Sequence, residues 1–241
     1  MNVAAGPPIL TYHYIGDPPV ESDRPYFVET AVFREQMQQL ARHGFQSISL
    51  LDYFAARNEP HTLPRRPIII TFDDGHRSFY EEAAPVLAET GFTATMFIVT
   101  DWMGRQGFLG SAEIQELTAA GHCFESHTVT HRILTKLTEA EAREELFASK
   151  DFLEDALSKP IRALAYRGGH FNDMVKALAA EAGYECAVTV KEGLNSADTD
   201  SFELRRNSVR HFHLGLKLLH RTDPFYGPKT LRFWKRYFLR R

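Results

Sequence analysis

IIITFDDG, residues 68–75, joins an apolar run to two adjacent carboxylates and a glycine. A short Ile- and Thr-rich run closed by turn residues reads as a buried strand, so Asp73 and Asp74 stand at its C-terminal end. On an ideal strand adjacent acids point to opposite faces. Gly75 permits the chain to turn, letting one carboxylate meet a metal while its neighbour faces a reacting water. An isolated Asp-Asp-Gly also has a plainer reading, an Asx-turn or cap leading into the next helix, and on its own that reading is preferred.

Outward from this stretch the chain alternates apolar runs with amphipathic ones. PILTYH (8–13) precedes Phe33, Met37 and Leu40 at helical spacing, ending at His43-Gly44. A helical stretch over 78–90 closes on Gly91, TATMFIV (93–99) follows, and a helix over 112–120 closes on Gly121 before HCFES (122–126). Glycine after each helical stretch is a C-cap signal, because it takes the left-handed conformation without a Cβ penalty. Thr138 with Glu141 forms a capping box that opens a long helix carrying Leu146, Phe147, Leu153 and Leu157, and Pro160 ends it. ALAY (163–166), a helix over 173–182 closed by Gly183, and CAVTV (186–190) continue the pattern. Repeated strand–helix–strand units predict a parallel sheet closed or nearly closed into a barrel, with its chemistry at the C-terminal strand ends.

At 241 residues, 44% of them hydrophobic, the chain is long enough for one full-sized domain. A net charge of -3 gives no global basic field, which argues against nucleic acid as a partner. Cys123 and Cys186 form no CxxC pair, so neither a disulfide framework nor a zinc ribbon is indicated, and a reducing compartment fits. The first residues lack a signal peptide's charged leader and apolar core, and no run reaches the roughly 20 apolar residues that span a bilayer. A cytoplasmic location is the expectation.

ESHTVTH (125–131) changes the odds for the acidic pair. It also follows a predicted strand, and it spaces His127 and His131 four residues apart, the interval that shares a face on a helical turn. Two imidazoles and a carboxylate leave positions open for water and a substrate oxygen, as in a catalytic metal site. A lone HxxxH is commonly a surface pair, but with an acidic pair at another strand end the metal reading becomes several times stronger. Cys123 and Glu125 on that strand read as packing or support for the site, and Cys186, Phe72, Phe97 and Phe124 as core.

TFDDG followed by SHTVTH, with FTATMFIV and GHCFESHT around them, resembles the polysaccharide deacetylases of carbohydrate esterase family four, the NodB homology domain, over roughly residues 8–210. The early Tyr-His and the late AVT…GLN…L.R pattern are similar to the poly-N-acetylglucosamine deacetylase branch. The resemblance implies a distorted (β/α)7 TIM-like barrel and removal of N-acetyl groups from amino sugars. Asp73 matches the family's catalytic base, and Asp74, His127 and His131 match its metal ligands. Zinc is the metal implied, and the same donors also suit iron, cobalt, nickel or manganese. Arg167, in AYRGGHFN (165–172), matches the arginine that pairs with the catalytic Asp, although glycines replace the prolines usual beside it. The late LxH histidine, which protonates the leaving amine, is missing: its counterpart is Leu204-Arg205-Arg206, and arginine stays protonated. Leu204 matches the leucine that lines the acetyl pocket. The resemblance offers His13 as the replacement acid, weighed evenly against a structural histidine, with His170, His211 and His213 in reserve. The tryptophan of the fourth motif has no match, the only tryptophans being Trp102 and Trp234.

Residues 1–228 are assigned to the barrel. The remainder, KTLRFWKRYFLRR (229–241), alternates six Lys or Arg with aromatic and leucine residues. It reads either as an interfacial helix giving peripheral contact with anionic membrane, suited to a lipid-linked sugar, or as a helix packed across the barrel, which is slightly preferred. For the whole chain the competing functions are a sugar deformylase, an O-acetyl esterase and a noncatalytic glycan-binding barrel. Retention of all four metal and base positions argues against the last.

Overall fold

The structure, a computed structural model, describes residues 6–56, 62–215, 217, 218 and 222. The chain runs through β1 (Ile9–Tyr12), β2 (Tyr14–Ile15), β3 (Phe27–Val28), α1 (Thr30–Arg42), β4 (Gln46–Ser47), α2 (Leu50–Ala55), β5 (Pro67–Phe72) and α3 (Ala84–Thr90). It continues through β6 (Thr95–Ile98), α4 (Ser111–Ala119), β7 (Cys123–Ser126), α5 (Glu139–Leu157), β8 (Ala163–Ala165), α6 (Asp173–Glu181), β9 (Cys186–Val188) and β10 (Asn207–Ser208).

Seven parallel strands follow one another in the order β10-β1-β5-β6-β7-β8-β9. The two ends of that order meet. Leu204 bridges to Val188 on β9, while Asn207 and Ser208, three and four residues later, pair with Leu10 and Thr11 on β1. The sheet therefore curls round into the parallel barrel that the strand–helix alternation predicts, in the distorted (β/α)7 form that the family resemblance implies. β4 adds to the lower end of β5, and β2 pairs with β3 outside the ring.

Strand parity sorts the residues into two cores. Ile9, Ile69, Phe97, Ala163, Cys186 and Leu204 face inward and pack with one another. Leu10, Ile70, Phe72, Met96 and Leu164 face outward, against Phe33, Met37 and Leu40 of α1 and Leu146 and Leu153 of α5. Each fully buried Leu or Phe stabilises the fold by ~1.5–3 kcal/mol, so the alternation of Ile68 to Phe72 is strongly specified. It also settles which acid goes in. Ile69 and Thr71 face the barrel interior, and Asp73, two residues further, does the same.

Helix signals fall where the sequence puts them. Thr138 and Glu141 complete their capping box, Asn172 caps α6 through Val175 N–H, and Gly91 ends α3 with φ 70°. The helix predicted over 78–90 is not uniform: a π-turn, Phe79–Ala83, precedes α3. Four short elements escape the periodicity, namely β2, β3, β4 and β10, together with α2, which has its own capping box from Ser49 and Asp52. Among the described residues no helix is long and apolar enough to cross a membrane. The basic segment 229–241 lies outside the described residues.

Candidate active site

Asp73 leaves the end of β5 pointing into the barrel and is 4% exposed. A carboxylate so placed needs a cation, and the structure supplies Arg206. Its Nη1 and Nη2 donate to Asp73 Oδ1 and Oδ2, each at 2.7 Å. Arg206 is itself 1% exposed, and two further donors are occupied: Nε donates to Thr189 O at 3.0 Å and Nη1 also reaches Thr71 Oγ1 at 3.2 Å. Burial alone would raise the Asp73 pKa, but the charge and hydrogen bonds of Arg206 outweigh it and hold the carboxyl well below the usual carboxylate range. The arginine expected in this role, Arg167, is not the partner. It sits half-buried on the turn after β8, where its charge reaches His131. Arg206 takes the place because β10 carries it back beside β1 and under the end of β5.

Asp74 breaks the strand parity. Its φ is 76° and that of Gly75 is 77°, two successive left-handed residues that turn the chain out of β5. Asp tolerates that region better than most side chains. Gly75 is required there, since a Cβ would also lie 2.9 Å from Ile98 Cδ1. The turn directs Asp74 Oδ1 to 3.6 Å from His127 Nε2 and 3.4 Å from His131 Nε2.

The two histidines are not carried on a helical turn, as their spacing suggested. They flank a bend after β7 in which Thr128 (φ 71°) and His131 (φ 59°) are left-handed. Glu145 of α5 holds this bend, accepting from Val129 N–H and Thr130 N–H at 2.9 Å each and from the Thr130 hydroxyl. His127 N–H donates to Ile98 O, and Thr128 Oγ1 accepts from His131 N–H. The His127 Nδ1 contacts Ala165 O at 2.7 Å, which fixes Nδ1 as the protonated nitrogen and turns Nε2 towards Asp74. Burial and the adjacent His127 push the His131 pKa down to about 4, so its ring is neutral at ordinary pH.

These are the donors a divalent metal ion takes. Asp74, His127 and His131 each offer one ligand atom, all within 4.8 Å of one another. Two atoms each ~2.1 Å from a tetrahedral ion lie ~3.4 Å apart, close to the 3.4 and 3.6 Å found between Asp74 and the two rings. The residues therefore fit the metal that the resemblance implies. With three protein ligands, a coordination position is left for a reactant.

His13 follows β1 directly, and since Tyr12 pairs with Phe72 it stands level with Asp73. Its ring is half-buried between Tyr14 (6.1 Å) and Tyr26 (5.5 Å), and its charge is felt at Asp73. The reserve histidines are elsewhere in character. His170 is exposed, His211 packs its ring on Phe212, and His213 is buried with Nδ1 accepting from Arg210 N–H. Leu204 is fully covered in the inner core and presents no surface to an acyl group, contrary to the pocket position expected for it. Trp102 has a place at the site after all, edge-on to the His131 ring at 4.8 Å. Glu125 stitches β7 to the start of β8 by accepting from Arg162 and Ala163 N–H; burial, partly offset by those two bonds, pushes its pKa up to about 7.

The profile of the polysaccharide deacetylase family matches residues 61–187, more than half of the chain and the part that holds both motifs. The chain belongs to the polysaccharide deacetylase family. Its relatives include a Bacillus subtilis protein, YxkH, with a provisional polysaccharide deacetylase name, 28% identical over 84% of this chain and 71% of its own. A poly-beta-1,6-N-acetyl-D-glucosamine N-deacetylase of Staphylococcus epidermidis is 29% identical over 75% of this chain and 67% of its own. Among solved structures, the Streptococcus pyogenes deacetylase PplD in complex with acetate superposes with a TM-score of 0.87, at 27% identity over 92% of this chain and 100% of that one. As a polysaccharide deacetylase the chain is a hydrolase of sugar amide bonds. Arg206 and His13 both lie outside the stretch matched by the family profile.

Proposed function

We propose that this polysaccharide deacetylase is a metal-dependent enzyme, zinc being the metal, that releases acetate from N-acetylglucosamine units of a β-1,6-linked polymer. The observation that carries this reading is the Asp73–Arg206 pair standing beside the Asp74, His127 and His131 donors. A carboxylate held so strongly ionised is a weak base, orders of magnitude too weak to deprotonate bulk water. An ion held by the three donors supplies the missing acidity, lowering the pKa of a water to ~7 and polarising the amide carbonyl.

The chain's own residues do the rest. Arg206 occupies one direction on each Asp73 oxygen and leaves further lone pairs to accept the proton of the attacking water. As the water oxygen adds to the acetyl carbon, that proton passes to Asp73. When the carbon–nitrogen bond then breaks, the leaving amine needs a proton of its own, and His13, level with Asp73 and flanked by aromatic rings, gives it. The substrate polymer is that of the Staphylococcus epidermidis relative. The acetate in the PplD structure matches the acyl product.

The test is product release from a panel: β-1,6-linked N-acetyl and N-formyl glucosamine oligomers and an O-acetyl sugar. Acetate from the N-acetyl oligomer should dominate, and His13→Ala should lower it by about 10²-fold with metal content unchanged. Faster release of formate, or of acetate from the ester, would replace the N-deacetylase reading. Near-normal turnover in His13→Ala would remove His13 as the acid.

A further inference from the structure

Asp74 has two carboxylate oxygens, and they face different neighbours. Oδ1 is the atom directed at the two imidazoles, 3.6 and 3.4 Å away. Oδ2 accepts a 2.6 Å hydrogen bond from the Tyr14 hydroxyl. Tyr14 sits on β2, sixty residues upstream, on the small two-stranded sheet outside the barrel. Its ring is held between Phe27, at 5.0 Å between centroids, and His76, at 4.6 Å. The residue is half-buried, so the short bond forms where water competes only in part. Nothing in the metal and base chemistry above uses this tyrosine.

Resting on the metal reading, we propose that Tyr14 is a positioning residue that makes Asp74 a one-oxygen ligand, by occupying Oδ2 and leaving Oδ1 alone for the ion. The reasoning is steric and electrostatic. A carboxylate can grip an ion through one oxygen or through both. Asp74, in a left-handed conformation at the head of a turn, has no other side chain bonded to it that would choose between the two among the hydrogen bonds described. The phenol makes the choice by drawing Oδ2 outward and sharing its charge. One oxygen from Asp74 and one nitrogen from each histidine leave coordination positions for water and the amide oxygen, whereas a two-oxygen grip would use one of them. Partners of metal-binding side chains typically account for 10- to 100-fold in metal affinity.

The measurement is zinc affinity by competition with a chromophoric chelator, together with the visible absorption of the cobalt-substituted protein. Tyr14→Phe keeps the ring between Phe27 and His76 and removes only the hydroxyl; Tyr14→Leu removes both and serves if the first variant does not fold. Either folded variant should bind zinc about 10- to 100-fold more weakly, and its cobalt absorption should weaken as a second carboxylate oxygen raises the coordination number. Zinc affinity within twofold of the unsubstituted chain and an unchanged cobalt spectrum, in whichever variant folds, would overturn the proposal. If the unsubstituted chain bound no stoichiometric zinc or cobalt, the metal reading itself would fall and the role of Tyr14 with it, a result distinct from the first.

Discussion

Arg206→Met lowers the unfolding free energy by ~3–5 kcal/mol and abolishes turnover. The figure is the cost of stranding one member of a buried ion pair, here an Asp73 carboxylate that is 4% exposed and loses both of its 2.7 Å bonds. The orphaned acid responds by taking up a proton, which removes the base as well as the charge. Arg206→Lys keeps the charge but not the two-pronged geometry, so it should fall between the parent and Met in both stability and rate. Pairing Arg206→Met with Asp73→Leu removes both charges and recovers most of the stability, because an apolar replacement of a buried pair is often neutral. Recovery stays incomplete, since Thr189 O loses its donor, at a cost of ~1–3 kcal/mol if left unpaired, while Thr71 Oγ1 keeps its bonds to Thr11 Oγ1 and Leu10 O. Urea unfolding of the three variants measures this. A double variant no more stable than the single one would show that packing around Arg206, rather than the charge pair, sets its importance.

Asp73→Asn is the second large effect, and it separates base from metal. The amide keeps the volume and can accept from one Nη of Arg206, so the barrel survives, but it cannot take a proton from water. Loss of a positioned base costs 10²–10⁴-fold, and the decrease is expected in kcat with metal content unaltered, because the donors are Asp74, His127 and His131. Stopped assays of acetate release alongside metal analysis on the same sample make the comparison. Loss of metal in step with activity would mean that Asp73 serves the ion rather than the water.

The residues that were legible from the sequence share one property: each stands directly after an apolar run. Asp73 and Asp74 follow IIITF, and His127 and His131 follow HCFES, so periodicity places them at strand ends and the barrel brings those ends together. What joins them could not be read in the same way. The last strand of the ring is two polar residues, Asn207 and Ser208, which carry no alternation, and without it nothing returns Arg206 to the side of β1. Arg167 looks the better partner because it follows a readable strand, Ala163–Ala165. A usable signal does exist: Ile69, Thr71 and Asp73 share a parity that commits Asp73 to the interior and so demands a buried cation. Tyr14 has no such signal, since its bond to Asp74 depends on the left-handed turn at Asp74 and Gly75. The HxxxH spacing picks out two rings that do meet beside Asp74, but through a helical face where the chain instead makes a bend stapled by Glu145.

The most direct test of the account is a zinc back-titration. Protein stripped with a chelator is titrated with zinc while acetate release from β-1,6-linked N-acetylglucosamine oligomers is followed. The Asp74, His127 and His131 cluster predicts no release without metal, then a linear rise that levels at a single equivalent per chain. Undiminished acetate release from the stripped protein would contradict it.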